Sequence, residues 1–181
     1  MMKELSLHLL DIAQNSVSAG ASSIDLTLEE NEEGRLRLVI ADNGRGMTPD
    51  FLAQVTDPFT TTRTTRKVGL GLPLLRMTAE QTGGELHIES QAGVGTTVTA
   101  LFQSNHIDCP PLGDLAGTVA LLIQGAPHAE WTLSRTTPKG SYRLDTRELR
   151  EILGPQVPLS EPSVVLWIRE YLQEQEAAVT L

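Results

Sequence analysis

A few short stretches hold the residues whose types and spacing can do chemistry. Asp11 and Asn15 stand four apart, on a stripe shared with His8 and Ser18, so a carboxylate and a carboxamide would point the same way from one helix. Asp42-Asn43-Gly44-Arg45-Gly46-Met47 is a glycine-rich turn headed by a carboxylate. The stretch from Thr56 to Lys67 is polar and carries Arg63, Arg66 and Lys67, in a chain whose formal net charge is −9. That local reversal of sign suits a loop closing over a polyanion such as a triphosphate, although a solvated loop with incidental charge has the same composition. Gly69-Leu70-Gly71-Leu72 opens a helical pattern, and backbone N–H groups at a helix start lack intrahelical partners and form a ready anion site. No GxxxxGK[ST] occurs, so P-loop chemistry is not expected.

The elements that must position these residues follow from periodicity. Leu5, Leu9, Ile12, Ser16 and Ala19 recur at helical spacing and give the first helix a core face beside the polar stripe; Gly20 stops it. Ile24, Leu26 and Leu28 alternate with polar residues, as in a half-buried strand, and Leu36 to Ala41 forms a second, more central one. The glycine turn at Asp42 thus lies at a strand end. Thr48 or Pro49 opens a short helix to about Val55, and a further helix runs from the Gly69–Leu72 stretch to Thr82, with Pro73 in its first turn. Leu86 and Ile88 mark a third strand, Gly93-Val94-Gly95 a turn, and Val98, Ala100 and Phe102 a fourth strand. Residues 105–114 read as a linker. Beyond it lie a helix over Leu115 to Ile123, a hairpin of Trp131–Leu133 and Tyr142–Leu144, a helix capped by Asp145 with Glu148, and an amphipathic helix bearing Val164, Ile168, Tyr171 and Leu172.

Each motif is common by itself; their order and spacing are not. In that order the chain resembles the gyrase/chaperone/histidine-kinase/mismatch-repair (GHKL) superfamily. Asp11-Ile-Ala-Gln-Asn15-Ser16 looks like its N box and Asp42 to Met47 like its first glycine box. Asp57-Pro58-Phe59-Thr60-Thr61-Thr62 is similar to the F box of bacterial sensor kinases, Gly69 to Leu72 to the second glycine box, and Gly93-Val94-Gly95-Thr96-Thr97 to the last, strand-linked one. The resemblance covers about Met1 to Phe102.

The resemblance implies an α/β two-layer sandwich, the Bergerat ATP-binding fold, with a mixed, mainly antiparallel sheet and helices on one face. It divides the chain into an ATP-binding domain over 1–104, the linker, and a small α+β extension over 115–181. It implies ATP and Mg²⁺ as ligands. Mg²⁺ takes oxygen ligands and keeps water and phosphates in its shell; Asn15 would supply one amide oxygen, and is otherwise an ordinary polar helix residue. Asp42 would accept a hydrogen bond from the adenine amino group, or else simply form a turn. Gly44 and Gly46 would let the backbone pass near the base, with Met47 packed on the ring or on the core. Thr96 would help to hold the adenine edge. Thr62, Arg63, Arg66, Lys67, Gly69, Leu70, Gly71 and Leu72 would face the phosphates. In hydrolytic branches a Glu four residues before the N-box Asn activates water; here that position is Asp11, one methylene shorter, a candidate general base or a structural helix-face Asp.

Nothing resembles the phosphorylatable histidine box of sensor kinases, and the chain begins almost at the N box, so histidine self-phosphorylation is not expected. The arrangement is similar to a small family of stand-alone, kinase-like ATP-binding proteins of anaerobic bacteria, whose genes often lie near hydrogenase genes. The resemblance thus implies a histidine-kinase-like ATPase or protein kinase acting on a separate protein partner; an ATP-gated binding protein with little turnover is the alternative. An acidic chain repels nucleic acid and anionic membrane, so neither is expected as a partner, and a homodimer is left open. The single Cys109 fits a reducing cytoplasm, and no signal peptide or apolar run of membrane-spanning length is read. The last 67 or so residues could cover the sheet, form a dimer or bind a partner.

Overall fold

The structure is a computed structural model, and it describes residues 2–57 and 71–181. In chain order the elements are α1 (Leu5–Ser18), β1 (Ser23–Glu30), β2 (Arg35–Asp42), α2 (Pro49–Thr56), α3 (Gly71–Gln81), β3 (Glu85–Gln91), β4 (Gly95–Gln103), α4 (Leu115–Gly125), β5 (Glu130–Thr137), β6 (Gly140–Asp145), α5 (Thr146–Leu153) and α6 (Pro162–Thr180). The strands form one six-stranded sheet in the order β3-β4-β2-β1-β5-β6. Neighbours are antiparallel except β1 and β5, which are parallel. This is the expected mixed, mainly antiparallel sheet. Among the described residues no helix is long and apolar enough to cross a membrane.

Alternation sets the covered face. Leu26 pairs with Ile40, Ile40 with Val98 and Val98 with Ile88, so one row of apolar side chains crosses four strands. Leu28, Leu38, Ala100 and Leu86 make the next. The opposite faces of β1 and β2 carry exposed Asp25, Glu29, Arg35 and Arg37, the one-sided pattern of an antiparallel sheet. Against the apolar face α1 buries Leu5, Leu9, Ile12 and Ala13, and α3 buries Leu72, Leu75 and Ala79.

The residues beyond 114 continue the same layers. The hairpin adds β5 and β6 to the sheet edge, while α4 packs on α1 and α6 on α4, β5 and β6. Trp131 is buried, and its indole N–H donates to the Ala126 carbonyl (3.0 Å). On the covered face of β5, Arg135 is only 3% exposed and pairs with Glu176 of α6 (3.2 Å) and Glu30 of β1 (3.8 Å). The Tyr142 hydroxyl donates to Glu176 (2.8 Å), and burial together with that carboxylate raises its pKa well above the usual phenol range. The segment before α4 lies against the start of α1. The carbonyls of Pro111 and Leu112 accept from the N–H groups of Leu5 and Ser6 (both 2.9 Å), which satisfies donors that a helix start leaves free.

Candidate nucleotide site

Three strands turn polar at the same row. On the covered face, Asp42 follows Leu36, Leu38 and Ile40; Thr96 lies next to Val98, Ala100 and Phe102; Ser90 follows Leu86 and Ile88. Asp42 pairs with Thr96, and Thr96 with Ser90. Asp42 is held from two sides: its Oδ2 accepts from the Ser16 hydroxyl at 2.6 Å and its Oδ1 from the Gly44 N–H at 2.8 Å. Ser16 is 3% exposed and follows Asn15 directly on α1. Asn15 and Asp42 therefore converge on one region of the molecule.

The glycines of the turn are required by the chain around them. A Cβ on Gly46, whose φ is +67°, would collide with the Gln91 carbonyl, and one on Gly44 would meet the Ala19 side chain at 2.8 Å. The turn is stitched to its neighbours: Arg45 N–H donates to Ala19 O (2.9 Å), Gly93 N–H to Arg45 O (2.7 Å), and Met47 N–H to the Ser90 hydroxyl (2.8 Å). Asn43 pins the loop after α1, its Oδ1 accepting from the N–H groups of Ser22 and Ser23 (both 2.9 Å). The Met47 side chain is partly buried against the core. Thr96 is half-buried, with its hydroxyl 2.8 Å from that of Ser90.

Asp11 and Asn15 are half-buried on the side of α1 that faces the start of α3. A Cβ built on Gly71 would lie 3.3 Å from Ile12 Cδ1, 3.6 Å from Asp11 Cβ and 4.0 Å from Asn15 Nδ2, so the second glycine stretch abuts the first helix at these two residues. Neither side chain has a hydrogen-bond partner among the described residues. Burial raises the Asp11 carboxyl above its ordinary pKa. The Asn15 amide oxygen, free of other bonds there, fits the oxygen-donor set of Mg²⁺. Leu72 is buried in the core. Thr62, Arg63, Arg66, Lys67, Gly69 and Leu70 lie outside the described residues.

The sequence stripe placed His8 beside Asp11 and Asn15 on a polar face. In the structure His8 is 1% exposed, because α3 packs over the first half of α1. Its Nε2 lies 3.1 Å from the Thr78 hydroxyl, which itself donates to the Leu74 carbonyl (3.0 Å). Burial, then the positive amino terminus, lowers the pKa of His8. Sequence reasoning gave no role to Ser16, Ser90 or Asn43. Ser16 was signalled by its place on the core stripe and Ser90 by its alternation with Leu86 and Ile88.

The family model for histidine kinase-, DNA gyrase B- and HSP90-like ATPases matches residues 2–106. The sensor protein SrrB of Staphylococcus aureus is 36% identical over 101 residues, covering 53% of this chain and 17% of SrrB; the chain thus spans about a sixth of that relative. Among solved structures, the Aquifex aeolicus MutL ATPase domain complexed with ADP superposes with a TM-score of 0.53 at 14% identity, over 84% of this chain and 70% of that one. The N-terminal domain of a DNA repair protein gives 0.55 at 15% identity, over 80% and 52%. At such identities the two structures establish the fold.

Proposed function

The chain belongs to the histidine kinase-, DNA gyrase B- and HSP90-like ATPase family, and from that premise we propose that it binds Mg²⁺-ATP between α1, the Asp42 turn, β4 and the start of α3, and transfers the γ-phosphoryl group to a separate protein or to water. The observation that carries this reading is the convergence of Asn15 and Asp42 through the 2.6 Å bond of Ser16. Asp42 accepts from the adenine amino group, and Thr96 holds the neighbouring edge. Asn15 would hold the metal, which when bound offsets phosphate charge. Gly71 brings the start of α3 against them, and Arg63, Arg66 and Lys67 are assigned to the phosphates on sequence grounds.

Burial raises the pKa of Asp11, and a carboxylate of raised pKa is a stronger base. That favours turnover, with Asp11 taking the proton of the attacking hydroxyl or water. The alternative is an ATP-gated binding protein with little turnover, for which the side chain, one methylene shorter than Glu, is the supporting feature. We place the activity in the cytoplasm, where ATP and a reduced Cys109 are both expected.

Calorimetric titration with ATP and ADP, with and without Mg²⁺, tests binding; a phosphate-release assay and γ-labelled ATP with candidate proteins test transfer. We expect Mg²⁺-dependent ATP binding that Asn15→Ala weakens. Wild-type protein that binds no nucleotide would overturn the reading. If Asp11→Asn keeps ATP binding and full phosphate release, Asp11 is not the base; if wild type binds ATP without release or labelling, the gated alternative stands.

A further inference from the structure

We infer that Ser16 is the positioning residue that aims the Asp42 carboxylate at a purine 6-amino group, and that the Ser90–Thr96 pair holds the base edge without selecting it. The inference rests on the ATP reading above and names what that site selects.

Proton bookkeeping separates the two pairs. An ionised carboxylate only accepts, so the 2.6 Å contact has one possible direction: the Ser16 hydroxyl donates to Asp42 Oδ2. Gly44 N–H donates to Oδ1 (2.8 Å). With one donor on each oxygen the carboxylate plane is fixed, and what remains open on it is acceptor capacity. A 6-amino group is a donor and fits. The 6-oxo group of guanine is an acceptor and meets like polarity. Ser16 is buried in the core face of α1, so water does not readily replace its hydroxyl.

Thr96 is built differently. The Ser90 hydroxyl accepts from Met47 N–H (2.8 Å) and has two acceptors for its own proton: Gly95 O at 3.2 Å and Thr96 Oγ1 at 2.8 Å. When Ser90 donates to Thr96, the Thr96 proton is free to be donated to an unprotonated ring nitrogen such as N1 of adenine. When Ser90 donates to Gly95 O, Thr96 donates to Ser90 and offers a lone pair, which suits the N1–H of guanine. The pair serves either base by rotating two hydroxyls, so it holds the base edge without choosing it.

The test is calorimetric titration of full-length wild type, Ser16→Ala, Ser16→Thr, Ser90→Ala and Asp42→Asn with three probes: ATP, purine riboside triphosphate (which lacks the 6-amino group) and GTP. Thermal melts serve as the folding control. Ser16→Ala is expected to weaken ATP by about tenfold and leave purine riboside triphosphate unchanged. Ser16→Thr, which keeps the hydroxyl, is expected to restore ATP. Ser90→Ala is expected to leave the ATP/GTP ratio within about twofold of wild type. Ser16→Ala weakening ATP and the 6-H analogue equally, or neither, overturns the inference, as does Ser90→Ala collapsing the ratio. If Asp42→Asn discriminates between ATP and the analogue as wild type does, the adenine role of Asp42 fails and the inference falls with it. If Asp42→Asn loses that discrimination and Ser16→Ala keeps it, only the Ser16 inference falls.

Discussion

Replacing Asp42 by Asn changes one oxygen for an N–H₂ group of nearly the same size. The two hydrogen bonds on Asp42 decide how the new side chain sits. Gly44 N–H is a fixed backbone donor 2.8 Å from Oδ1, so the amide oxygen must stay there. The amide nitrogen then faces Ser16, whose hydroxyl, now 2.6 Å from Oδ2, rotates and accepts. Both partners remain bonded, and the fold loses only the charge assistance of these bonds, about 1 kcal/mol. The ligand side changes more. The remaining amide hydrogen opposes the adenine amino group, and a bond to a charged acceptor is replaced by like polarity, a loss of about 2 kcal/mol, or roughly 30-fold in Kd. That same hydrogen matches the 6-oxo group of guanine, so GTP binding should strengthen while ATP binding falls. Competition titrations of ATP and GTP against a fluorescent nucleotide, with melts on the same samples, measure both. An unaltered ATP/GTP ratio in a variant that melts like wild type would refute the reasoning.

Other predictions follow from the surrounding packing. Asp11→Asn should raise the melting temperature near neutral pH: burial raises the folded pKa of this acid, so ionisation opposes folding above the ordinary value of 3.8, and the amide removes that opposition. His8 has a lowered folded pKa, so its contribution is complete above the unfolded value of 6.5 and is lost as pH falls through the folded one. Melts from about pH 7 to about pH 5 should therefore show a steeper loss for wild type than for His8→Gln; parallel curves would contradict it. Arg135→Met leaves Glu176, and the more distant Glu30, without their cation and should cost about 3 kcal/mol by urea denaturation, whereas a change under about 1 kcal/mol would show the pair to be solvent-relaxed. Gly46→Ala forces a Cβ into the Gln91 carbonyl at φ +67°; a loss of about 1–3 kcal/mol is expected, with nucleotide affinity reduced because the Asp42 turn moves.

The elements were legible because local rules and packing agree along most of the chain. The apolar stripe of α1, the alternation in β1 and β4, and the Asp145 cap on Arg147 N–H (3.0 Å) all follow from period and cap chemistry. Partners were not legible. Nothing in the run Glu130 to Thr137 says that β5 will lie parallel to β1, because strand order depends on how helices cover the sheet. Arg135 sits on the covered face, where Glu176, forty-one residues later, meets it. His8 shows the same limit in a helix: spacing assigns a stripe, but whether that stripe meets solvent or another helix depends on where α3 lies.

The site itself was legible in outline because it breaks the rules that built the rest. A covered face calls for apolar residues at every second position, and β2, β3 and β4 obey until one row. There they place Asp42, Ser90 and Thr96 side by side. A polar residue at a core position costs stability unless it is bonded; here one break could be an accident of a strand end, but three in register, each with hydrogen-bond partners, are a built surface. The helix above obeys the same logic. Ser16 interrupts the apolar stripe of α1 at the level of that row, and its hydroxyl is spent on Asp42. Adjacent residues of one rigid helix thus serve the base end and the metal end of the site, Ser16 facing the sheet and Asn15 the start of α3. A displacement of α1 would disturb both ends together, so variants that shift the helix should weaken ATP and Mg²⁺ dependence in parallel, while Ser16→Ala should touch only the base.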